Sequence, residues 1–103
     1  AAIMLARQLA LEWGPDGIRV NALSPGLTET PGTAGVYAAP QARAQREARI
    51  PLRRVAQAED MANALAFLVG PDAGYVTGID LLVDGGLSNG LMGSVNMAAW
   101  NGQ

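Results

Sequence analysis

The chain has 103 residues, half of them apolar, and its seven basic and nine acidic residues leave a net charge of −2. That length allows one small domain at most, and a mean hydropathy of +0.15 with 16% charged residues is too apolar for a solvated disordered chain. A pI near 4.8 offers no field for nucleic acid, and no apolar run reaches the roughly 18 residues that span a bilayer. Neither nucleic acid nor membrane is therefore an expected partner, and the expected setting is cytoplasmic.

Cys and His are absent, which excludes disulfides, thiolate or imidazole metal sites and Ser-His or Cys-His nucleophilic pairs. All seven basic residues are Arg, so Lys-assisted proton transfer is excluded as well.

Residues 1–13 place Ala2, Leu5, Leu9 and Trp13 three or four apart, with Ala6 and Ala10 beside them, and predict an amphipathic helix. No Ser, Thr, Asp or Asn precedes it as an N-cap, so further sequence upstream is expected. Gly14, Pro15, Asp16 and Gly17 end the helix in a turn. Residues 18–24 alternate Ile18, Val20, Ala22 and Ser24 against Arg19, Asn21 and Leu23, which predicts a strand closed by Pro25 and Gly26. From 26 to about 40 no period is visible, and a loop of that length reads as a functional lid or a disordered stretch.

Residues 41–50 have helix-forming composition and stop before Pro51. Residues 58–69 are the clearest helix, with Glu59 and Asp60 in the first turn and a face built by Met61, Ala62, Leu65, Ala66, Leu68 and Val69. Gly70 and Pro71 end it. Ile79, Asp80, Leu81, Leu82 and Val83 then form a short, mostly apolar strand expected to be buried on both faces, followed by the turn Asp84, Gly85, Gly86. Residues 87–103 support no assignment. The order helix, strand, lid, helix, helix, strand is a βαβ unit whose two parallel strands need further neighbours. The fold class is α/β: the last helix-strand-helix-strand part of a doubly wound parallel sheet, incomplete as a domain by itself.

Three strings, LALEWGPDGIRVNALSPGLTET, PLRRVAQAEDMANALAFLV and YVTGIDLLVDGG, in this order resemble the C-terminal part of the short-chain dehydrogenase/reductase family over residues 1–86. The resemblance implies a Rossmann-like, NAD- or NADP-dependent oxidoreductase that interconverts a carbonyl and a secondary alcohol by hydride transfer. The family's Gly-rich pyrophosphate turn, catalytic Ser and Tyr-x-x-x-Lys pair have no counterpart here and are expected upstream. The lack of Lys and the uncapped first helix agree with that expectation. By the same comparison the isolated chain is expected to be inactive. The alternative is a noncatalytic, truncated assembly module.

Residues 25–30 are similar to the family's Pro-Gly segment at the carboxyl end of its sixth strand, where ligands of open α/β sheets bind. The resemblance makes Pro25, Gly26, Leu27, Thr28 and Thr30 candidate cofactor-binding residues, with the Thr28 backbone toward the nicotinamide carboxamide and the Thr30 hydroxyl toward the carboxamide or a phosphate. Gly26 would allow the backbone to approach a planar ring. Thr28 departs from the family's branched aliphatic residue. Residues 31–50 correspond to the variable substrate lid, in which Tyr37 is a candidate substrate contact, against the plainer reading of a solvent-exposed loop residue. Glu29 and Glu47 read as solvated charges, and Arg53 and Arg54 as ties of the lid more than as an anion site. Asp84 reads as turn chemistry, not as a metal pair with Asp80. Trp13 and Trp100 are expected in a core or an interface. In the family, the elements at 58–69 and 79–83 pack against another subunit, so a homo-oligomer acting on a small carbonyl or alcohol is expected.

Overall fold

The apolar repeat at the start of the chain forms helix α1, Ala2–Trp13, which leads through a 3-10 turn to strand β1, Ala22–Pro25. The computed structural model describes residues 1–89. In chain order there follow β2, Thr28–Glu29, one helical turn α2, Ala34–Tyr37, and helix α3, Pro40–Arg49. Then come β3, Ala56–Gln57, helix α4, Ala58–Val69, and β4, Asp80–Val83. Trp100 and all but the first residues of the 87–103 tail lie outside the described residues. Contacts divide the chain into two units, residues 1–25 with 59–83, and residues 26–58 with 84 onward.

In the first unit β1 and β4 pair in parallel, Ala22 opposite Asp80 through Pro25 opposite Val83, with α4 in the connection between them. The predicted strand at 18–24 is thus regular only from Ala22. The residues before it are held by backbone bonds, Gly78 N–H to the Val20 carbonyl and Ile18 N–H to the Trp13 carbonyl, together with side chains. The Val20 N–H donates to Thr77 Oγ1, the Ile79 N–H donates to Asn21 Oδ1, and Asn21 Nδ2 donates to the Val76 carbonyl. A side chain that bonds the neighbouring backbone offers an alternative to the ladder, which is why the regular strand is short.

Arg19 does more of the same kind. Its Nη1 donates to the Leu68 carbonyl at 2.8 Å and to the Val76 carbonyl at 3.2 Å, and its Nη2 to the Gly70 carbonyl at 3.3 Å. Helix α4 has no basic residue in its own last turn. The guanidinium therefore satisfies the Leu68 carbonyl in the last turn of α4, joins it to the carbonyls of Gly70 and Val76 beyond the helix, and places a positive charge at the negative end of the helix dipole.

The apolar faces of α1 and α4 are less covered than their periodicity predicts. On α1 only Ala6 and Ala10 are buried, and a Cβ added to Gly78 would lie 3.3 Å from the Ala10 Cβ. Small residues there let backbone approach backbone. Leu11 remains 76% exposed and Trp13 42%, so Trp13 is not enclosed in a core. On α4 Leu68 alone is buried, and Val69 is 79% exposed. Strand β4 is likewise not buried throughout, since Leu82 is 46% exposed.

The second unit occupies much of what reads in the sequence as a structureless loop. Strands β2 and β3 pair in parallel, Thr28 opposite Ala56 and Glu29 opposite Gln57. Tyr37, Ile50 and Val55 form its buried core, with Leu27 and Leu87 packed against them. Tyr37 is only 6% exposed, and the Arg46 guanidinium lies 5.7 Å from its ring centroid. This corrects the plainer expectation of a solvent-exposed loop residue: the ring is enclosed by packing within the unit and by a cation. Burying an aromatic ring is how so small a unit acquires a core.

Arg53 adopts a left-handed conformation, φ +61°, and its Nη1 donates to the Ala48 and Ile50 carbonyls at the end of α3. These are local ties to the end of α3, where the resemblance implies a tie to the last helix. Asp84 accepts the Gly86 N–H on Oδ1 at 3.0 Å and the Ser88 N–H on Oδ2 at 2.9 Å, as its reading as a turn residue predicts. Gly85, at φ +63°, allows that turn to lie against Ile50, whose Cγ2 would be 2.8 Å from an added Cβ. The Ser88 N–H above all, with further hydrogen bonds from the Ser88 side chain and the Gly86 N–H, holds the Asp84 carboxyl below its usual range against the opposing effect of burial.

Two outcomes are expected. Arg19→Met, which strips three carbonyls of a charged donor, is expected to lower unfolding free energy by about 2 kcal/mol in urea titrations, with Arg19→Lys recovering part of it. Asp84 binds its proton more weakly folded than unfolded, so its stabilisation is present above the ordinary carboxylate pKa and lost as pH falls through the lower folded value. Asp84→Asn is expected to flatten the acid limb of a stability-against-pH curve without abolishing it, because Glu29 is held low in the same direction.

Candidate functional site

Parallel strands that end together leave their carboxyl edge to loops, and in open α/β sheets ligands bind there. In the first unit that edge is defined by Pro25 paired with Val83, and Pro25 is exposed. Proline has no N–H to extend a ladder, so the strand stops where it stands.

In the second unit the structure accounts for each of the other four candidates separately. A Cβ on Gly26 would come within 2.6 Å of the Asp84 Cβ and 2.7 Å of its Cα. Packing inside the unit therefore demands glycine here, independently of any bound ring. Leu27 turns its side chain to the core, and its carbonyl accepts the Ala56 N–H at 2.9 Å. Thr28, in place of an aliphatic residue, donates its hydroxyl to the Gly26 carbonyl at 3.0 Å. This short-range bond fixes the backbone between the two.

Thr30 is organised by a residue that motif reading does not single out. Thr33 Oγ1 accepts the Thr30 N–H at 2.8 Å and donates to the Thr28 carbonyl at 2.9 Å. The Thr33 N–H closes the turn onto the Thr30 carbonyl at 3.0 Å. With the Thr33 proton committed to Thr28, the 3.3 Å contact between the Thr30 and Thr33 hydroxyls leaves Thr30 as the donor. That is long for an O–H···O bond, so the Thr30 proton is only loosely engaged and its lone pairs remain available. The segment offers a hydroxyl that can donate or accept beside a fixed backbone, a donor set that fits an amide or a phosphate oxygen. The Thr-Pro-Gly-Thr string at 30–33 is the turn signal from which Thr33 was legible.

Glu29 and Glu47, expected as solvated charges, are both engaged. Glu29 Oε1 accepts Gln57 Nε2 at 3.0 Å and Arg43 Nη1 at 3.2 Å. Glu47 Oε2 accepts the Val55 N–H at 3.2 Å and lies 3.7 Å from Arg43 Nε. The Gln57 bond first, then Arg43, lowers the Glu29 pKa. A carboxylate stabilised in its charged form in this way is a poor general acid or base near neutral pH. Among the described residues no three acidic side chains are grouped to hold a metal ion, and no helix is long and apolar enough to cross a membrane.

Comparison with known proteins gives these features their context. Residues 1–88 match the profile of a family described as Enoyl-(Acyl carrier protein) reductase. The chain is 49% identical over 85 residues to 3beta-hydroxysteroid dehydrogenase 1 of Eggerthella lenta, covering 82% of this chain and 33% of that protein. It is similar to a candidate 2-deoxy-d-gluconate 3-dehydrogenase from Agrobacterium tumefaciens, solved with bound NADP. The TM-score is 0.77 at 40% identity, over 85% of this chain and 36% of that one. It is also similar to 4-hydroxyisoleucine dehydrogenase complexed with NADH, with a TM-score of 0.78 at 28% identity over 84% and 36% of the two chains. The chain thus spans about a third of the length of the relatives it matches. Its sequence strings, its parallel α/β pairing and these similarities agree, and the chain belongs to the short-chain dehydrogenase/reductase family of oxidoreductases.

Proposed function

We propose that this chain is the C-terminal part of an NAD- or NADP-dependent oxidoreductase that interconverts a carbonyl and a secondary alcohol. In this reading Pro25, Gly26, Leu27, Thr28 and Thr30 form the nicotinamide-side wall, and residues 31–50 form the substrate lid. The observation that carries it is the Thr28, Thr30 and Thr33 cluster, which rigidifies a segment directly following a parallel strand and keeps one hydroxyl for an external partner. Similarity to proteins solved with NADP and with NADH supports the cofactor class.

When bound, the nicotinamide supplies or accepts the hydride. This chain's residues bind and orient. The backbone of Gly26 to Thr28 is held by two threonine hydroxyls and therefore loses little freedom when a ligand docks, and the Thr30 hydroxyl is placed to meet a carboxamide or a phosphate. Leu27 acts from behind by anchoring the segment in the lid core. Tyr37 gives that core its bulk. Proton transfer at the carbonyl has no His, Cys or Lys here to serve it, and falls to the Ser and Tyr-x-x-x-Lys groups that the family places upstream.

The exposed apolar residues of α4 and β4, Val69 and Leu82 among them, support a homo-oligomer face on these elements. The same exposure favours association as the second reading, in which the chain by itself is a noncatalytic assembly module.

The deciding measurement is fluorescence titration with NADH and NADPH, together with carbonyl reduction, on the protein that carries this chain and its upstream residues and on the 103-residue chain alone. The former is expected to bind and reduce; the latter is expected to show no reduction. Reduction by the chain alone would sink the assignment of the proton-transfer groups, and no dinucleotide response from the longer protein would sink the function. Thr33→Val keeps the shape of the side chain but removes the bond network, and is expected to raise the dinucleotide Kd by about fivefold with little change in melting temperature, the scale of one net hydrogen bond.

A further inference from the structure

The cofactor-side segment and the lid helix share one carboxylate. Glu29 stands between Thr28 and Thr30 in sequence, and the pleat of an extended segment turns alternate side chains to opposite sides. Its Oε1 is the common acceptor for Arg43 Nη1 from α3 and Gln57 Nε2 from β3. Arg43 also reaches back along its own helix to Glu47, whose Oε2 accepts the Val55 N–H where the chain leaves the core for β3. One guanidinium therefore connects the β2 strand, the lid helix and the approach to β3. All three side chains of the two ion pairs are only a quarter to a third exposed, Arg43 33%, Glu29 26% and Glu47 25%, so they are ordered at the surface of the unit without being sealed from water.

We propose that Glu29 and Arg43 form a positioning latch that couples the seat of α3 in the lid to the backbone register of Thr28 and Thr30, and so sets cofactor affinity from the lid side. This rests on the function proposed above. Neither residue touches a reacting atom in this role. Partly exposed pairs add little to folding stability, whereas positions that must be held to a fraction of an ångström respond to small losses of restraint. Breaking the latch is therefore read in binding and not in unfolding. Arg43 is the better partner than Lys for a shared carboxylate oxygen, because its planar fork can also keep Nε on Glu47.

The test uses the full-length protein that carries this chain, with NADH and NADPH as probes. Glu29→Gln and Arg43→Met are each expected to raise the dinucleotide Kd and KM by about fivefold with kcat within about twofold, the size of effect an exposed pair can supply. Each is also expected to speed proteolytic cleavage within residues 31–50 while the melting temperature moves little. The double substitution is expected to be no worse than either single one, and Arg43→Lys to recover most of the affinity. If Arg43→Met does not fold, Arg43→Gln takes its place in the comparison with Glu29→Gln. Binding by the unsubstituted protein with an unchanged Kd in Glu29→Gln overturns the latch alone. Additive losses in the double substitution also overturn it. Absence of dinucleotide binding by the unsubstituted protein overturns the latch together with the function on which it rests.

Discussion

Parallel strand pairing is the constraint on which the rest of this chain depends. A parallel partner must be brought from far along the sequence, Ala22 to Asp80 in one unit and Thr28 to Ala56 in the other, and no hairpin turn holds the two in register. Between the strands lie helices whose ends expose unpaired carbonyls and turns whose N–H groups have no ladder. The chain meets this with side chains aimed at backbone. Arg19 takes three carbonyls around the end of α4, Asn21 pins the approach to β4, Thr33 clips β2, Asp84 closes the turn after β4 and Arg53 ties off α3. In a composition without Cys, His or Lys, Arg, Thr, Asn and Asp, with Glu47 on the Val55 N–H, perform the task.

The same solution shapes the candidate site. Thr28, Thr30 and Thr33 use hydroxyls on nearby backbone, so the segment that leaves β1 is fixed from within before any ligand arrives. Hydrogen bonds of this kind contribute modestly to stability one at a time, on the order of 1 kcal/mol. Their value lies in direction. The apolar core behind them, Tyr37 with Ile50 and Val55, is small and supplies bulk without specifying where a hydroxyl sits. Polar groups decide the geometry that a ligand would meet, and the aromatic ring keeps that geometry on a packed base.

Much of the architecture was legible from periodicity. Helices α1 and α4 run long enough for a 3.6-residue repeat to emerge, and their observed bounds agree with it. The parallel βαβ order follows from the alternation of elements. Strands β2 and β3, two residues each, are too short to carry a period of two, so they were hidden in what read as a loop and as the lead-in to a helix. The burial of Tyr37 was hidden for a related reason, because α2 is a single turn and one turn has no face to read. The exposure of Leu11 and Val69 was not legible, since an apolar stripe on a helix marks a face that prefers cover and does not say which neighbour provides it.

The amino-acid sequence by itself determined which chemistries are absent, where the long helices and the main strand pair lie, and, through three ordered strings, the family. Those properties depend on residue type and local spacing, which a linear sequence contains in full. The tertiary structure decided that Tyr37 is enclosed, that Gly26 is demanded by Asp84, that Thr33 organises Thr30, and that Glu29 is shared by Arg43 and Gln57. Each of these depends on which residues distant in sequence, or brought together by a turn, come within a few ångströms. That information exists only once the backbone path is set.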